Sequence, residues 1–149
     1  MYQMRYYSYE EFVNDTNKLI DKVKSFHPDA IVAIARGGLT LAHAISEGLN
    51  IREVQTLRTE LYDEDTKRSS ITIHNSTTLK DIQKVLVVDD IADSGDTLKA
   101  VMETLECENV NIEFQSATLF YKPSSIYRPH FWINEATEWI NFFWERDFK

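Results

Sequence analysis

The chain has a single cysteine, Cys107, so no internal disulfide can form. It has only four glycines and three prolines in 149 residues. They are scattered, and no Pro/Gly-rich linker, repeat or low-complexity tract interrupts the chain. No apolar run approaches the eighteen or so residues of a membrane-spanning helix. The opening MYQMRYYSYE has no apolar core of a secretory signal, and with the lone cysteine this leads to the expectation of a cytoplasmic protein. Basic residues are also in short supply, 16 against 24 acidic ones, for a net charge of −8. That balance argues against non-specific binding to nucleic acid or to a membrane surface. It leaves room for an anionic small molecule, which local amides, one or two bases and a metal ion can hold.

The chain does have a pattern of buried strands alternating with amphipathic helices. Its hydrophobic fraction is 43%, enough for a core, and its length suits one domain. Ser8 and Glu11 have capping-box spacing, and Phe12, Thr16, Leu19, Ile20 and Val23 follow at helical intervals, predicting a helix over 9–25. AIVAIA (30–35) is continuously apolar and reads as a strand buried on both faces. Arg36-Gly37-Gly38 ends it, and LTLAHAISEGL reads as a helix with Gly48 near its end. A short strand is expected at 54–57. Residues 58–80 are polar and irregular, with a weak β pattern at ITIH, and read as a flexible excursion holding a hairpin. Val85–Val88 is a second buried strand, and Leu98, Val101, Met102 and Leu105 mark a further helix. Two more strands are expected at 114–121 and 131–133, before an aromatic tail. The alternation implies an α/β domain with a mostly parallel sheet. Ligands then gather beyond the carboxyl ends of the strands, where Arg36-Gly37-Gly38 and Asp89–Thr97 both fall.

The stretch VLVVDDIADSGDTL (85–98) carries the chemistry. Adjacent carboxylates at roughly 5 Å repel by about 3 kcal/mol at an effective dielectric near 20. Asp89 and Asp90 are either a harmless solvated pair or a site where a cation or hydroxyl donors sit beside them. Their position at the end of a buried strand favours the site. Ser94-Gly95-Asp96-Thr97 opens a helix, where free N–H groups and two hydroxyls suit a phosphate. The same four residues also make an ordinary helix cap. Taken together, the segment describes a site for a polyol phosphate.

This stretch resembles the phosphoribosyl-pyrophosphate (PRPP) signature of the type I phosphoribosyltransferases. AIVAIARGGLTLAHAISEGLNIR, LFYKP and TEWINFFWE are similar, in that order, to the pyrophosphate loop, lysine-bearing strand end and purine-covering tail of bacterial xanthine-guanine phosphoribosyltransferases. The resemblance implies the type I fold: a mostly parallel central sheet flanked by helices, a small C-terminal hood at about 122–149 and a flexible loop at about 59–76, within one domain spanning 1–149. It implies a Mg²⁺-dependent enzyme that transfers the phosphoribosyl group of PRPP to hypoxanthine, guanine or xanthine and releases pyrophosphate. It places Asp89 and Asp90 on the ribose hydroxyls and the metal, with Glu145 on the second metal side, and Asp93 as the acid–base group near purine N7. Asp93, Ser94, Gly95, Asp96 and Thr97 would form the 5′-phosphate loop. Arg36 and Gly37 would form the pyrophosphate loop, which in the family holds a non-proline cis peptide. Lys122 would donate to the 6-oxo group, Trp139 would stack on the purine, and the backbone of Ile140 would meet its exocyclic group. A homodimer or homotetramer is implied too.

The chain departs from the family at Asp96, where Gly or Lys is common, at Glu145, where Asp is common, and at Leu61-Tyr62, where the loop has Ser-Tyr. The four histidines lack metal-ligand spacing, and Cys107 is expected to pack inside its helix. The alternatives are a PRPP- or nucleotide-sensing regulator of the same fold and a transferase for another base.

Overall fold

The computed structural model describes residues 4–63 and 69–148, apart from the side chains of 62, 63 and 69. The chain opens with strand β1 (Met4–Tyr7) and helix α1 (Tyr9–Val23), which runs into a 3₁₀ turn at Lys24–Phe26. The capping box is formed. The Glu11 amide donates to Ser8 Oγ at 3.1 Å, and the Ser8 amide donates to Glu11 Oε2 at 2.9 Å. These bonds satisfy N–H groups that the first turn of a helix otherwise leaves open. Phe12, Thr16, Leu19, Ile20 and Val23 form the buried stripe, as their spacing predicts.

Strand β2 (Ala30–Ala35) and helix α2 (Leu39–Leu49) follow, then β3 (Val54–Asp63), β4 (Ser69–His74) and β5 (Lys84–Val88). Next come β6 (Ile91–Ala92), α3 (Asp96–Glu108), β7 (Glu113–Ala117) and β8 (Phe120–Tyr121). The chain closes with β9 (Asn134–Glu135), β10 (Trp139–Phe142) and the short α4 (Phe143–Arg146). The central sheet has the order β4-β3-β2-β5-β7. Four of its strands are parallel and β4 runs antiparallel on β3, a mostly parallel sheet as expected. Val32, Ala33, Val85, Val87 and Val88 are fully buried, because helices cover both faces of β2 and β5.

Several expectations need correction. Strand β3 does not stop at Leu57 but continues to Asp63 and pairs with β4, so most of the excursion is a hairpin. The Tyr62 backbone pairs with Ser70, while its side chain and residues 64–68 lie outside the described structure. Gly48 lies near the end of α2 as expected; Asn50, in the left-handed conformation at φ 54°, caps the helix, and a Cβ on Gly48 would come within 2.5 Å of Ile20 Cδ1 of α1. The expected strand 114–121 breaks in two at Thr118-Leu119, because the amides of Leu119 and Phe120 turn to Asp90 O at 3.1 and 3.2 Å. Phe131–Ile133 is no strand. Phe131 forms only an isolated bridge to Ala117. Cys107 does not pack inside α3 but is exposed on it. The N-terminal strand was not expected at all. It pairs in parallel with β10, from Met4 beside Trp139 to Tyr7 beside Phe142.

Candidate active site

The parallel register that aligns Ala33 with Val88 brings the carboxyl ends of β2 and β5 together. The two loops that leave them therefore meet. Gly37 and Gly38 are required there for space. A Cβ on Gly37 would lie 2.7 Å from Asp90 Oδ2, and one on Gly38 would collide with Val88 O. The peptide between Ala35 and Arg36 is cis. The acidic pair is stitched to the end of β7 by its backbone, with the Asp89 amide donating to Ala117 O at 3.2 Å.

These loops enclose a cavity of about 300 Å³ lined by Ala35, Gly37, Thr59, Asp89, Asp90 and Asp93 to Gly95, with Thr97 and Leu98 behind. Gly95 has φ 88°, a conformation that costs glycine little, and directly precedes α3. Its Cα faces Ser125 Oγ and the amides of Ile126 and Tyr127, where no side chain would fit. Ser94, Gly95 and Thr97, around the start of α3, line the cavity, an arrangement suited to a phosphate. The Asp96 side chain is not among the lining groups. It lies in a separate groove with Ile71, Lys99 and Glu103, while its amide donates to Ser94 Oγ at 3.2 Å. The negative charge that looked out of place in a phosphate loop is therefore turned away from it.

A second, larger cavity of about 620 Å³ shares Asp90, Ile91 and Asp93 with the first. Its other walls are Lys122 and the tail residues Ala136 to Ile140, Phe142 and Glu145. Pairing of β6 with β8 delivers Lys122 there. Its amide donates to Ala92 O at 3.0 Å, and its ammonium lies 3.3 Å from Asp93 Oδ1. Trp139 is 60% exposed at the rim, whereas Ile140 is buried. The two cavities thus meet at Asp90–Asp93.

The electrostatics follow from burial. Asp90 is 7% exposed, and loss of hydration raises its carboxyl to about 6, with the neighbouring Glu145 adding to the rise. Asp89 is raised well above the ordinary carboxylate value by desolvation and by the charge of Asp90. Among the described residues no basic side chain pairs with either. Burial also raises Glu145, an effect opposed by the guanidinium of Arg36. Arg36 itself is exposed and does not line the smaller cavity, although Gly37 does.

Residues 6–148 match the phosphoribosyl transferase domain family. The chain belongs to the phosphoribosyltransferase family. It is 30% identical to the xanthine-guanine phosphoribosyltransferase of Idiomarina loihiensis, over 93% of this chain and 84% of that one. Among solved structures it resembles the xanthine-guanine-hypoxanthine phosphoribosyltransferase of Helicobacter pylori, with TM-score 0.91 and 39% identity over 97% of this chain and 96% of that one. A purine phosphoribosyltransferase from Pyrococcus horikoshii superposes with TM-score 0.84 at 28% identity, covering 96% of this chain and 94% of that chain.

Phosphoribosyltransferases are generally Mg²⁺-dependent, and this site suits the ion. Among the described residues no three acidic, histidine or cysteine side chains gather as a closed metal cage. Mg²⁺ does not need one. It is commonly held by one or two carboxylates, with substrate oxygens and water completing its shell. Asp90, buried, and Asp89, half-buried beside it, have no basic partner among the described residues and could serve as such a pair, and Glu145 lies close enough to act on Asp90.

The sequence reading missed Thr59, Ile91, Thr137, Glu138 and Phe142 as lining residues. Thr137 and Glu138 lay inside the quoted tail motif, so their place beside Trp139 was available. Thr59 carries no local signal; it lies one residue beyond the β2–β3 ladder, which ends with Ala35 beside Arg58.

Proposed function

We propose that this phosphoribosyltransferase transfers the 5-phosphoribosyl group of PRPP to a 6-oxopurine, giving the nucleoside monophosphate and pyrophosphate for purine salvage. The observation that carries the reading is the Lys122–Asp93 pair, with donor and acceptor 3.3 Å apart where the two cavities meet. A 6-oxopurine presents an acceptor at O6 next to ring nitrogen N7, which carries a proton in one tautomer of the free base. Lys122 donates to O6 and Asp93 accepts from N7. Adenine presents an amino donor at the first position and leaves two donors opposed, a mismatch that disfavours it.

The smaller cavity then takes the PRPP half. The amides of the first turn of α3, with Ser94 and Thr97, hold the 5′-phosphate. Asp89 and Asp90 accept from the ribose hydroxyls and hold Mg²⁺, which supplies charge neutralisation to the pyrophosphate. Gly37 gives the pyrophosphate a close approach to the backbone, with Arg36 and Glu145 at its margin. In the larger cavity Trp139 stacks on the base and Ile140 meets its exocyclic edge. As the bond from ribose C1 to pyrophosphate oxygen breaks, a base nitrogen bonds C1. Asp93 steadies the positive charge that develops at C1 and accepts the proton the base loses.

The same reading makes the chain a single catalytic domain with residues 122–149 as its hood. It makes the protein a cytoplasmic homodimer or homotetramer that binds PRPP and base, with exposed Met4, Tyr6 and Phe148 available for a subunit contact. The test is pyrophosphate release from PRPP and Mg²⁺ with hypoxanthine, guanine, xanthine and adenine offered separately. Release with at least one 6-oxopurine and none with adenine is expected. Release with adenine alone would reassign the base, and PRPP binding without release would make the protein a sensor.

A further inference from the structure

The two walls of the larger cavity belong to different sheets. Lys122 follows β8, which pairs with β6 and β9, whereas Trp139 and Ile140 lie on β10, which pairs with β1. Among the described residues no ladder of hydrogen bonds joins β8 to β10; the backbone tie between them is the Ala136 amide donating to Tyr121 O at 2.9 Å, three residues before Trp139, so packed side chains share in setting the width of the cavity. Aromatic rings span the gap. Tyr7, at the end of β1, is 0% exposed. Its ring meets Phe120 of β8 edge-on at 5.0 Å and Phe142 of β10 edge-on at 5.6 Å. Phe120 itself meets Phe142 at 5.8 Å, which completes a three-ring joint. The phenol donates to Asp15 Oδ2 of α1 at 2.6 Å, and Asn134 Nδ2 of β9 donates to the same oxygen at 2.8 Å. Tyr7 is thus fixed against α1, the lysine-bearing strand and the hood at once.

We infer that Tyr7 is a positioning residue for the base: its ring holds Lys122 and Trp139 at the spacing a purine needs. It touches neither cavity. The ring supplies the spacer, because Phe120 and Phe142 pack on its carbon edges, while the hydroxyl anchors it. The smaller cavity is lined from the ends of β2 and β5 and the start of α3, and Tyr7, Phe120 and Phe142 are absent from its lining.

The inference rests on the reading of the larger cavity as the base site. The test is steady-state kinetics of Tyr7→Ala, Tyr7→Leu and Tyr7→Phe with PRPP and the best 6-oxopurine of the wild type. In Tyr7→Ala and Tyr7→Leu the KM for the base is expected to rise about tenfold, with the KM for PRPP within about twofold. Tyr7→Phe, which keeps the ring, is expected to restore the base KM to within about threefold of wild type. If Tyr7→Ala fails to fold, Tyr7→Leu, which keeps an apolar side chain there, carries the comparison with Tyr7→Phe. A parallel rise in both KM values, an unchanged base KM in a destabilised variant, or failure of Tyr7→Phe to restore it would overturn the inference. A wild-type protein that turns over no purine would instead overturn the reading of the site.

Discussion

The two cavities that meet at Asp93 are built on different physical terms. The smaller is polar and rigid in origin. Its groups come from the ends of buried parallel strands and the first turn of a helix, and two of its carboxylates, one buried and one half-buried, lie beside each other with no basic partner among the described residues. The larger is lined mostly by apolar groups, with an exposed tryptophan at its rim and one lysine–aspartate pair at its junction. The first stores electrostatic tension that a cation and hydroxyl groups relieve. The second offers a flat apolar slot read by one donor and one acceptor. A site that must hold a charged sugar phosphate and a neutral heterocycle gains from keeping these environments apart and sharing only Asp90, Ile91 and Asp93, where the bond changes.

Substitutions at the junction should break this division most severely. Asp93→Asn keeps the shape of the junction but removes its proton acceptor. A fall in kcat of about 10²–10³-fold is expected, with PRPP affinity within a few-fold by calorimetry. Nearly intact turnover would remove Asp93 from the acid–base role. Lys122→Ala should sharpen the contrast between the cavities. The KM for the base should rise roughly 10- to 100-fold, the worth of a hydrogen bond from a charged donor, while the KM for PRPP stays within about twofold. Equal effects on both would deny the lysine its assignment to the larger cavity.

The smaller cavity has its own signature in pH. Burial raises the Asp90 carboxyl from 3.8 to about 6, and Asp89 moves in the same direction. Folding therefore favours the protonated form. That contribution is fully present below about pH 4 and is lost as pH rises through about 6. Asp90→Asn should remove the loss, so that in the absence of Mg²⁺ and PRPP the variant gains on the order of 2 kcal/mol over wild type between pH 4 and pH 8. Denaturant titrations at both values measure it, and identical pH profiles for the two proteins would show that Asp90 does not carry the strain. Far from both cavities, Cys107 is exposed on α3, and Cys107→Ser should shift stability by less than about 0.5 kcal/mol without altering activity. A larger effect would reveal packing that the structure does not show.

The two regions also differed in how far their sequence announced them. Asp89 to Thr97 was legible because one contiguous segment carries strand end, acids, glycine turn and helix start. The larger cavity is assembled from β6, the end of β8 and the tail, and its motifs were recognisable only as resemblances. The strand that braces it, Met4–Tyr7, went unread because its partner β10 lies at the opposite end of the chain, and such distant pairing leaves no local periodicity. Gly48 stands near the end of α2 as its place in the sequence suggests, but the fold adds a reason no local pattern shows, the close approach of Ile20 from α1. The break at Thr118-Leu119 likewise depends on carbonyl Asp90 O, which no local pattern reveals. The orientation of Asp96 was settled by the fold as well, since the start of α3 turns that side chain toward Ile71 and Lys99.

The most direct test of the two-cavity account is a crystal structure of the protein with guanosine monophosphate bound. The account predicts the phosphate on the Ser94–Thr97 loop, the ribose hydroxyls at Asp89 and Asp90, and the purine between Lys122 and Trp139 with O6 toward the ammonium. A nucleotide bound with its purine outside the larger cavity, or with its phosphate away from the start of α3, would contradict it.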